Sequence, residues 1–316
     1  MRFNFTVRAA QRIWLCALCL CAGGLTTLAQ VQDTRGESQY AVFVSQRGGA
    51  AELYVLDLRS LQVSQLTNTG RGHLAPALAL KAGAVVFAAR EGSHYELFTA
   101  LLSPAWRTRR PLLTATQRLT INAFDEISPS VSADGGFVAF ASGDGIEFMT
   151  VGGGARQVLL PASDAARDYC PAISPDGQQV AFISNRASAD EIWTLNRVSG
   201  ELRQLTREAQ PMGGLSWSHD GQRLAFTTGN TETKLTGVAI AELATGTHRV
   251  VSERGDSNPA FAPRGDRLLM TSLRDGDPEL YLLELNSGQT TRLTFSAGLD
   301  DGAVFVPTTE LPRRLP

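Results

Sequence analysis

The chain has 316 residues, of which 43% are hydrophobic and 19% are charged, and its formal net charge is −2. This composition excludes a disordered chain, and the slight acidic excess argues against nucleic acid or an anionic membrane as a partner. No apolar run reaches the ~18 residues that a membrane-spanning helix needs.

The N-terminus has the layout of a secretory signal peptide. Three arginines precede an apolar run over residues 13–22, and small residues follow up to Ala29. We expect residues 1–29 to be the signal, cleaved near Ala29, and residues 30–39 to be a linker; a retained anchor is the alternative. Cleavage would leave Cys170 as the one cysteine, which excludes an internal disulfide.

From Tyr40 onward the chain repeats one pattern of short strands and turns. The second strand of each copy carries a central anchor residue, and these anchors recur at spacings of 42 to 53 residues: Phe43, Phe87, Phe140, Phe182, Phe226 and Met270. Six strand-only copies predict an all-β, six-bladed β-propeller of four-stranded antiparallel blades over residues 40–309, with a tail over 310–316.

The best-preserved copy spans residues 171–206. Asp176-Gly177 and Ser199-Gly200 predict tight turns between its strands, because Gly and Asp tolerate positive φ. The second copy predicts a longer hairpin over residues 103–117 between its third and fourth strands.

The first copy begins with its second strand, and the missing first strand is found at the other end of the chain. Residues 300–307, DDGAVFVP, match residues 168–175 in pattern. We therefore expect N- and C-terminal strands to share one blade and to close the ring non-covalently, which hides the sheet edges.

The copies SPDGQQVAFISNR, SADGGFVAFASGDG, SHDGQRLAFTTGN and APRGDRLLMTSLRDG resemble TolB-type (PD40, WD40-like) propeller repeats. The resemblance covers residues 40–309. It implies a periplasmic propeller that contacts proteins, typically the peptidoglycan-associated lipoprotein (Pal) of the Tol-Pal cell-envelope system. TolB itself carries an α/β domain before its propeller, whereas here only residues 30–39 follow the predicted signal, so the resemblance is to a stand-alone propeller.

One register position in the repeats suggests a ring of side chains. It lies three residues before the first-strand proline or its equivalent, and it is occupied by His73, Glu126, Asp168, Met212, Asp256 and Asp300. Innermost strands line the central channel of a propeller, so these groups would meet at its mouth. Clustered carboxylates need a compensating charge, which points to a metal, a cationic group or a basic peptide. The alternative is that each acid binds backbone of its own or the next blade.

A second recurring position follows the second strand and carries Arg47, Arg90, Arg186 and Arg274, with Asp144 and Asn230 in copies three and five. These loops share a face with the acid ring. A glutamate recurs at the start of the third strand, at Glu52, Glu96, Glu191 and Glu279. The interpretation we favour is pairing between arginine and glutamate within one loop.

Catalytic motifs are absent from the sequence. There is no G-x-S-x-G elbow, HExxH motif or P-loop, and Cys170 has no histidine near it in sequence. We therefore expect a monomeric, cofactor-free binding or scaffolding module of the cell envelope. The alternative is an enzyme at the channel mouth, either a metal-assisted hydrolase or a polysaccharide lyase.

Overall fold

The computed structural model describes residues 39–79, 83–102, 113–121, 124–230 and 232–306. These residues form twenty-four strands in six four-stranded antiparallel sheets, which confirms the predicted six-bladed propeller. The described residues include no helix long and apolar enough to cross a membrane. The predicted signal, most of the linker, the tail and most of the 103–117 hairpin lie outside the described residues.

We number the blades 1 to 6 in repeat order. Blade 1 contains β24 (Asp300–Val306), β1 (Tyr40–Ser45), β2 (Glu52–Asp57) and β3 (Val63–Gln65). Blade 2 contains β4 (His73–Ala79), β5 (Ala84–Glu91), β6 (His94–Leu102) and β7 (Leu113–Arg118). Blade 3 contains β8 (Ile127–Val131), β9 (Phe137–Ser142), β10 (Gly145–Thr150) and β11 (Gln157–Pro161).

The remaining blades repeat the same order. Blade 4 contains β12 (Asp168–Ile173), β13 (Gln179–Ser184), β14 (Glu191–Asn196) and β15 (Leu202–Gln204). Blade 5 contains β16 (Pro211–Trp217), β17 (Arg223–Gly229), β18 (Thr236–Glu242) and β19 (His248–Ser252). Blade 6 contains β20 (Asp256–Phe261), β21 (Arg267–Ser272), β22 (Glu279–Glu284) and β23 (Thr290–Arg292).

Blade 1 joins the two ends of the propeller, as the sequence predicts. β24 pairs antiparallel with β1, with Val306 opposite Tyr40 and Asp300 opposite Ser45. β24 also packs against β20 and β21 of blade 6 and against β4 of blade 2. The ring is therefore closed by hydrogen bonds and apolar packing.

The core lies between the blades. Six apolar clusters fill the six interfaces between neighbouring blades. All six second-strand anchors are buried, with no more than 1% of any of them exposed. Because burial of such a side chain contributes ~1.5–3 kcal/mol, these interfaces are the main source of stability.

The turn chemistry follows the predicted pattern with one refinement. Gly177 has a φ of 70° and donates its N–H to the Ser174 carbonyl at 2.9 Å. Asp176 does not take positive φ; its carboxylate instead accepts bonds from the Ser174 hydroxyl at 2.6 Å and the Gln178 N–H at 3.0 Å. These bonds lower the pKa of Asp176.

Every first strand contains a bulge that the sequence did not predict. In each blade the pairing register between the first and second strands shifts shortly after the start of the first strand. At the bulge of each copy one residue at an equivalent position has a φ between 45° and 62°: Ala75, Ser128, Cys170, Gly214, Asn258 and Gly302. Bulges of neighbouring blades touch, as between Ser128 Oγ and Cys170 Sγ at 3.7 Å. The bulges of blades 5 and 6 are also close, since a Cβ at Gly214 would lie 2.9 Å from Asn258 Cα.

Two faces follow from the meander. The loops from a fourth strand to the next first strand, and those from a second to a third strand, lie on one face, which we call the entry face. The turns between first and second strands and between third and fourth strands lie on the opposite face. The predicted ring residues and arginines all lie at the entry face.

Candidate binding face and its ion-pair ring

The predicted ring residues occupy equivalent places at the start of the six first strands. His73, Asp168, Asp256 and Asp300 open their strands, Glu126 directly precedes β8, and Met212 is the second residue of β16. The side chains of the five polar members are at most 3% exposed, whereas Met212 is 58% exposed. The polar members therefore do not present open carboxylates to solvent.

Arginines of the same blade neutralise three of these acids. Arg47 Nη2 lies 2.7 Å from Asp300 Oδ2, and Arg186 Nη2 lies 2.7 and 2.8 Å from the two oxygens of Asp168. In blade 6 Arg274 Nη2 lies 2.9 and 3.1 Å from the oxygens of Asp256. The compensating charge that clustered carboxylates require thus comes from the chain itself.

The three arginines share one setting. The Nε of Arg47, Arg186 and Arg274 donates to the serine that ends the second strand, at 2.8 to 2.9 Å. Each guanidinium also lies over the aromatic side chain of its third strand, 4.6 to 5.3 Å from the ring centroid. Arginine is thereby fixed on three sides, and a lysine could not make the same contacts.

The predicted pairing of these arginines with glutamates of the same loop is wrong. The glutamates open the third strands and are buried, and they bind the loop that leads to the next blade. Glu191 accepts from the Thr206 hydroxyl at 2.6 Å, and Glu279 accepts from the Thr294 hydroxyl at 2.5 Å and the Ser296 N–H at 2.7 Å. In blades 4 and 6 the threonine of the Leu-Thr ending is therefore a partner of the glutamate.

Blade 3 carries an acid at both positions. Asp144 occupies the arginine position, and the cation comes instead from Arg156, which bonds Glu126 and lies 3.2 Å from Glu147. Burial raises the pKa of Glu126 to about 7, against the opposing effects of the Thr120 hydroxyl and Arg156, and the nearby Glu96 raises it further. Arg156 follows the third strand, outside the repeated arginine register, so the sequence pattern did not reveal it.

Blade 2 replaces the aspartate with a histidine that turns toward blade 1. His73 Nε2 lies 2.6 Å from the Thr69 hydroxyl and 3.1 Å from Glu52 Oε2. Burial lowers the pKa of His73 against the opposing effect of Glu52, which favours the neutral form of the imidazole. No acid among the described residues pairs with Arg90, whose Nε donates to the Gly92 carbonyl at 3.3 Å.

Blade 5 has neither member of the pair. Met212 stands in the acid position and Asn230 in the arginine position, and a cavity of about 430 Å³ lies between them and blade 4. Its lining includes Asp190, Lys234 and Leu235. The sequence showed both substitutions, but it could not show that they open a cavity.

The ring is not arranged as a metal site. Among the described residues no group of three or more His, Cys, Asp or Glu side chains is placed to hold a metal ion. Cys170 lies in the bulge of β12, and burial raises the pKa of its thiol, which disfavours the reactive thiolate.

Exposed apolar side chains concentrate on the entry face. Of the thirteen exposed large apolar residues in the described ranges, eight lie in its loops or at the adjoining strand ends: Leu74, Ile121, Phe124, Ile127, Met212, Leu235, Leu273 and Phe295. The other five lie on outer strands or on the opposite face: Leu101, Val158, Val198, Leu202 and Val250. Apolar groups gathered on one face are typical of a contact surface.

In sequence, the chain is similar to TolB-type proteins. Residues 203–311 match the family model described as "TolB beta propeller domain" (PD40). A "Protein TolB homolog" of Chlorobium chlorochromatii is 29% identical over 92% of this chain and 66% of its own length. A "Tol-Pal system protein TolB" of Anaeromyxobacter dehalogenans is 37% identical over 24% of this chain and 17% of its own length. The chain thus spans less than two thirds of these relatives.

Solved structures show the same fold with more than one function. TolB from Acinetobacter baumannii superposes with a TM-score of 0.72 at 18% identity, covering 86% of this chain and 68% of that one. An oligogalacturonate lyase in complex with manganese superposes with a TM-score of 0.54 at 16% identity, covering 78% and 86%. At these identities the superpositions establish the fold alone.

Proposed function

Because this chain is a TolB-like six-bladed propeller, we propose that it is an exported binding module of the cell envelope whose entry face holds a protein partner. The observation that carries the proposal is the concentration of exposed apolar side chains on that face. Burial of such groups against a partner supplies most of the driving force for association.

The relatives suggest the kind of partner. The Anaeromyxobacter relative is named as a Tol-Pal system protein, and the Chlorobium relative as a TolB homologue. We therefore propose a Pal-like lipoprotein in the periplasm as the partner. The proposal needs no cofactor, and we take the chain to act as a monomer.

The enzymatic alternative has less support. A lyase shares the fold, but the acids that would carry out such chemistry here are buried, and three of them are paired with arginines. No observation in the described residues favours hydrolysis or lyase chemistry over binding.

The test is a binding measurement with substitutions on each face. Calorimetry would use the purified propeller and the soluble domain of the Pal-like lipoprotein from the same genome. Leu273→Asp and Phe295→Asp place a charge among the apolar groups of the entry face, and we expect each to weaken binding by about tenfold or more. Val198→Asp is the matched control, because Val198 is 84% exposed in a turn of the opposite face.

Two results would contradict the proposal. If the wild type does not bind, and a photocrosslinker at position 295 captures no envelope protein in the periplasm, the entry face is not a binding surface. Equal binding by all three variants would likewise place the contact elsewhere.

A further inference from the structure

The cavity in blade 5 occupies the corner that an ion pair fills in other blades. In blades 1, 4 and 6 an aspartate and an arginine meet there at 2.7 to 2.9 Å. In blade 5 Met212 and Asn230 stand at the two positions, and the space between them and Asp190 of blade 4 measures about 430 Å³. This volume is in the range of ligand pockets, ~300–1,000 Å³.

The loop from β17 to β18 holds the cavity open. The Asn230 side-chain oxygen accepts from the N–H groups of Glu232 at 2.9 Å and Thr233 at 3.0 Å. The Asn230 backbone N–H donates to the Leu235 carbonyl at 3.0 Å, and the Lys234 N–H donates to the Asn230 carbonyl at 2.8 Å. Asn230 therefore organises a tight loop that carries Lys234 and Leu235 to the rim.

The walls combine apolar surface with one available cation. Met212 is 58% exposed and Leu235 is 46% exposed, although both line a concave site. Lys234 is exposed and forms no ion pair with a described side chain, whereas Asp190 on the opposite wall already lies 3.3 Å from Arg167. The site thus offers an apolar surface and a positive charge that no described carboxylate neutralises.

We propose that this cavity receives a peptide segment of the protein partner in which a large apolar side chain stands beside a carboxylate. The apolar side chain would pack on Met212 and Leu235, and the carboxylate would pair with the Lys234 ammonium. This inference rests on the proposed function, since it takes the cavity as the specificity pocket of the entry face. The charge of Lys234 favours an acidic segment over a basic one.

Methionine methyl groups give a direct readout. In protein labelled with carbon-13 at the methionine methyls, Met212 is exposed, while Met149 and Met270 are at most 2% exposed and serve as internal references. The probe is the blocked peptide Gly-Leu-Glu-Gly, compared with Gly-Leu-Lys-Gly and Gly-Ala-Glu-Gly. We expect the Leu-Glu peptide to shift the Met212 signal saturably, with a Kd on the order of 1 mM, and the references to stay in place.

Two variants test the charge and the shape separately. Lys234→Glu should weaken the Leu-Glu peptide by about tenfold and favour the Leu-Lys peptide. The double substitution Met212→Asp with Asn230→Arg would restore the pair found in three other blades and fill the cavity. We expect a fluorescent Leu-Glu peptide no longer to bind the double variant. The urea unfolding midpoint of the double variant should stay near that of the wild type.

Several outcomes overturn the inference. It fails if the Met212 signal does not move, if the Leu-Lys peptide binds the wild type as well as the Leu-Glu peptide, or if Lys234→Glu changes nothing. If the double variant still binds the lipoprotein domain like the wild type while Phe295→Asp does not, the cavity has no role although the entry face keeps its function.

Discussion

At the scale of single residues, the ring at the entry face acts mainly to hold each blade together. Asp256 is fully buried and accepts bonds from Arg274 and from the Ser252 hydroxyl. Removal of one partner from such a pair leaves the other charge partly desolvated, which costs more than the intact pair contributes.

Asp256→Ala should therefore lower the free energy of unfolding by about 2–4 kcal/mol, because Arg274 loses its counterion. Urea unfolding followed by tryptophan fluorescence measures the change. Met212→Ala is the matched control at the same register, and it should alter stability by about 0.5 kcal/mol or less because Met212 is exposed. Equal losses in the two variants would show that the ion pair is not a stabilising contact.

Glu126 gives stability a dependence on pH. Its pKa is about 7 in the folded chain against 4.5 as the ordinary value, so the folded state binds the proton more tightly than the unfolded state. The resulting stabilisation is complete below pH 4.5 and is lost as the pH rises through 7. Over this window we expect the unfolding free energy of the wild type to fall by an amount on the order of 1–3 kcal/mol. Glu126→Gln should not show this fall.

The measurement is a set of urea unfolding curves from pH 4.5 to pH 8 for both proteins. Only the difference in slope is diagnostic, since the amide does not titrate and its contact with Arg156 adds no dependence on pH. Parallel curves would mean that Glu126 has an ordinary pKa.

The sequence predicted the members of the ring but not their partners. Equal spacing places Asp168, Asp256 and Asp300 in one register, and that information is present in the repeats. Whether the arginine pairs with the aspartate or with the glutamate depends on the direction of the glutamate side chain. At the start of the third strand this side chain turns to the Leu-Thr loop. Arg156 breaks the register altogether, so only the structure shows its role.

At the scale of elements, the six bulges limit what the first strands can contain. Four bulge positions carry non-glycine residues at positive φ, which β propensity does not reveal. These four residues share a small side chain. This signal is present in the sequence, but it cannot be distinguished from an ordinary strand until the backbone conformation is known. The bulge also explains why the first strands align less regularly than the second strands.

Two glycines at this position provide a matched pair. A Cβ at Gly214 would lie 2.9 Å from Asn258 Cα, whereas a Cβ at Gly302 would meet no atom within 4 Å. Both residues have similar φ values, 60° and 62°, so they share the backbone cost of about 1 kcal/mol. We expect Gly302→Ala to lose only this amount and Gly214→Ala to lose about 2–3 kcal/mol in urea unfolding. Similar losses would contradict the crowding of bulges between blades 5 and 6.

At the scale of the whole molecule, closure of the ring could be predicted because the first copy lacks a strand that the last residues supply. The repeat pattern alone was enough for this inference, because one strand is missing from the first copy and one extra strand follows the last copy. The contacts between blades could not be predicted in the same way, because they depend on which faces of the sheets meet.

Removal of β24 tests how much the closure contributes. A chain that ends at Leu299 would expose the edge of β1 and the apolar clusters on both sides of blade 1. We expect this chain to lose its cooperative thermal transition and to elute as aggregate in size-exclusion chromatography. A monomeric chain with a sharp transition would show that five complete blades suffice.

The pairing of β1 with β24 also decides how the propeller responds to mechanical force. Tyr40 and Val306 lie opposite each other at one end of the strand pair, so tension applied through both ends of the domain loads the hydrogen bonds one after another. Such an arrangement opens like a zipper at low force, whereas strands pulled along their length resist together. Tension applied at Tyr40 and Val306 would therefore separate β24 from β1 and open blade 1 first.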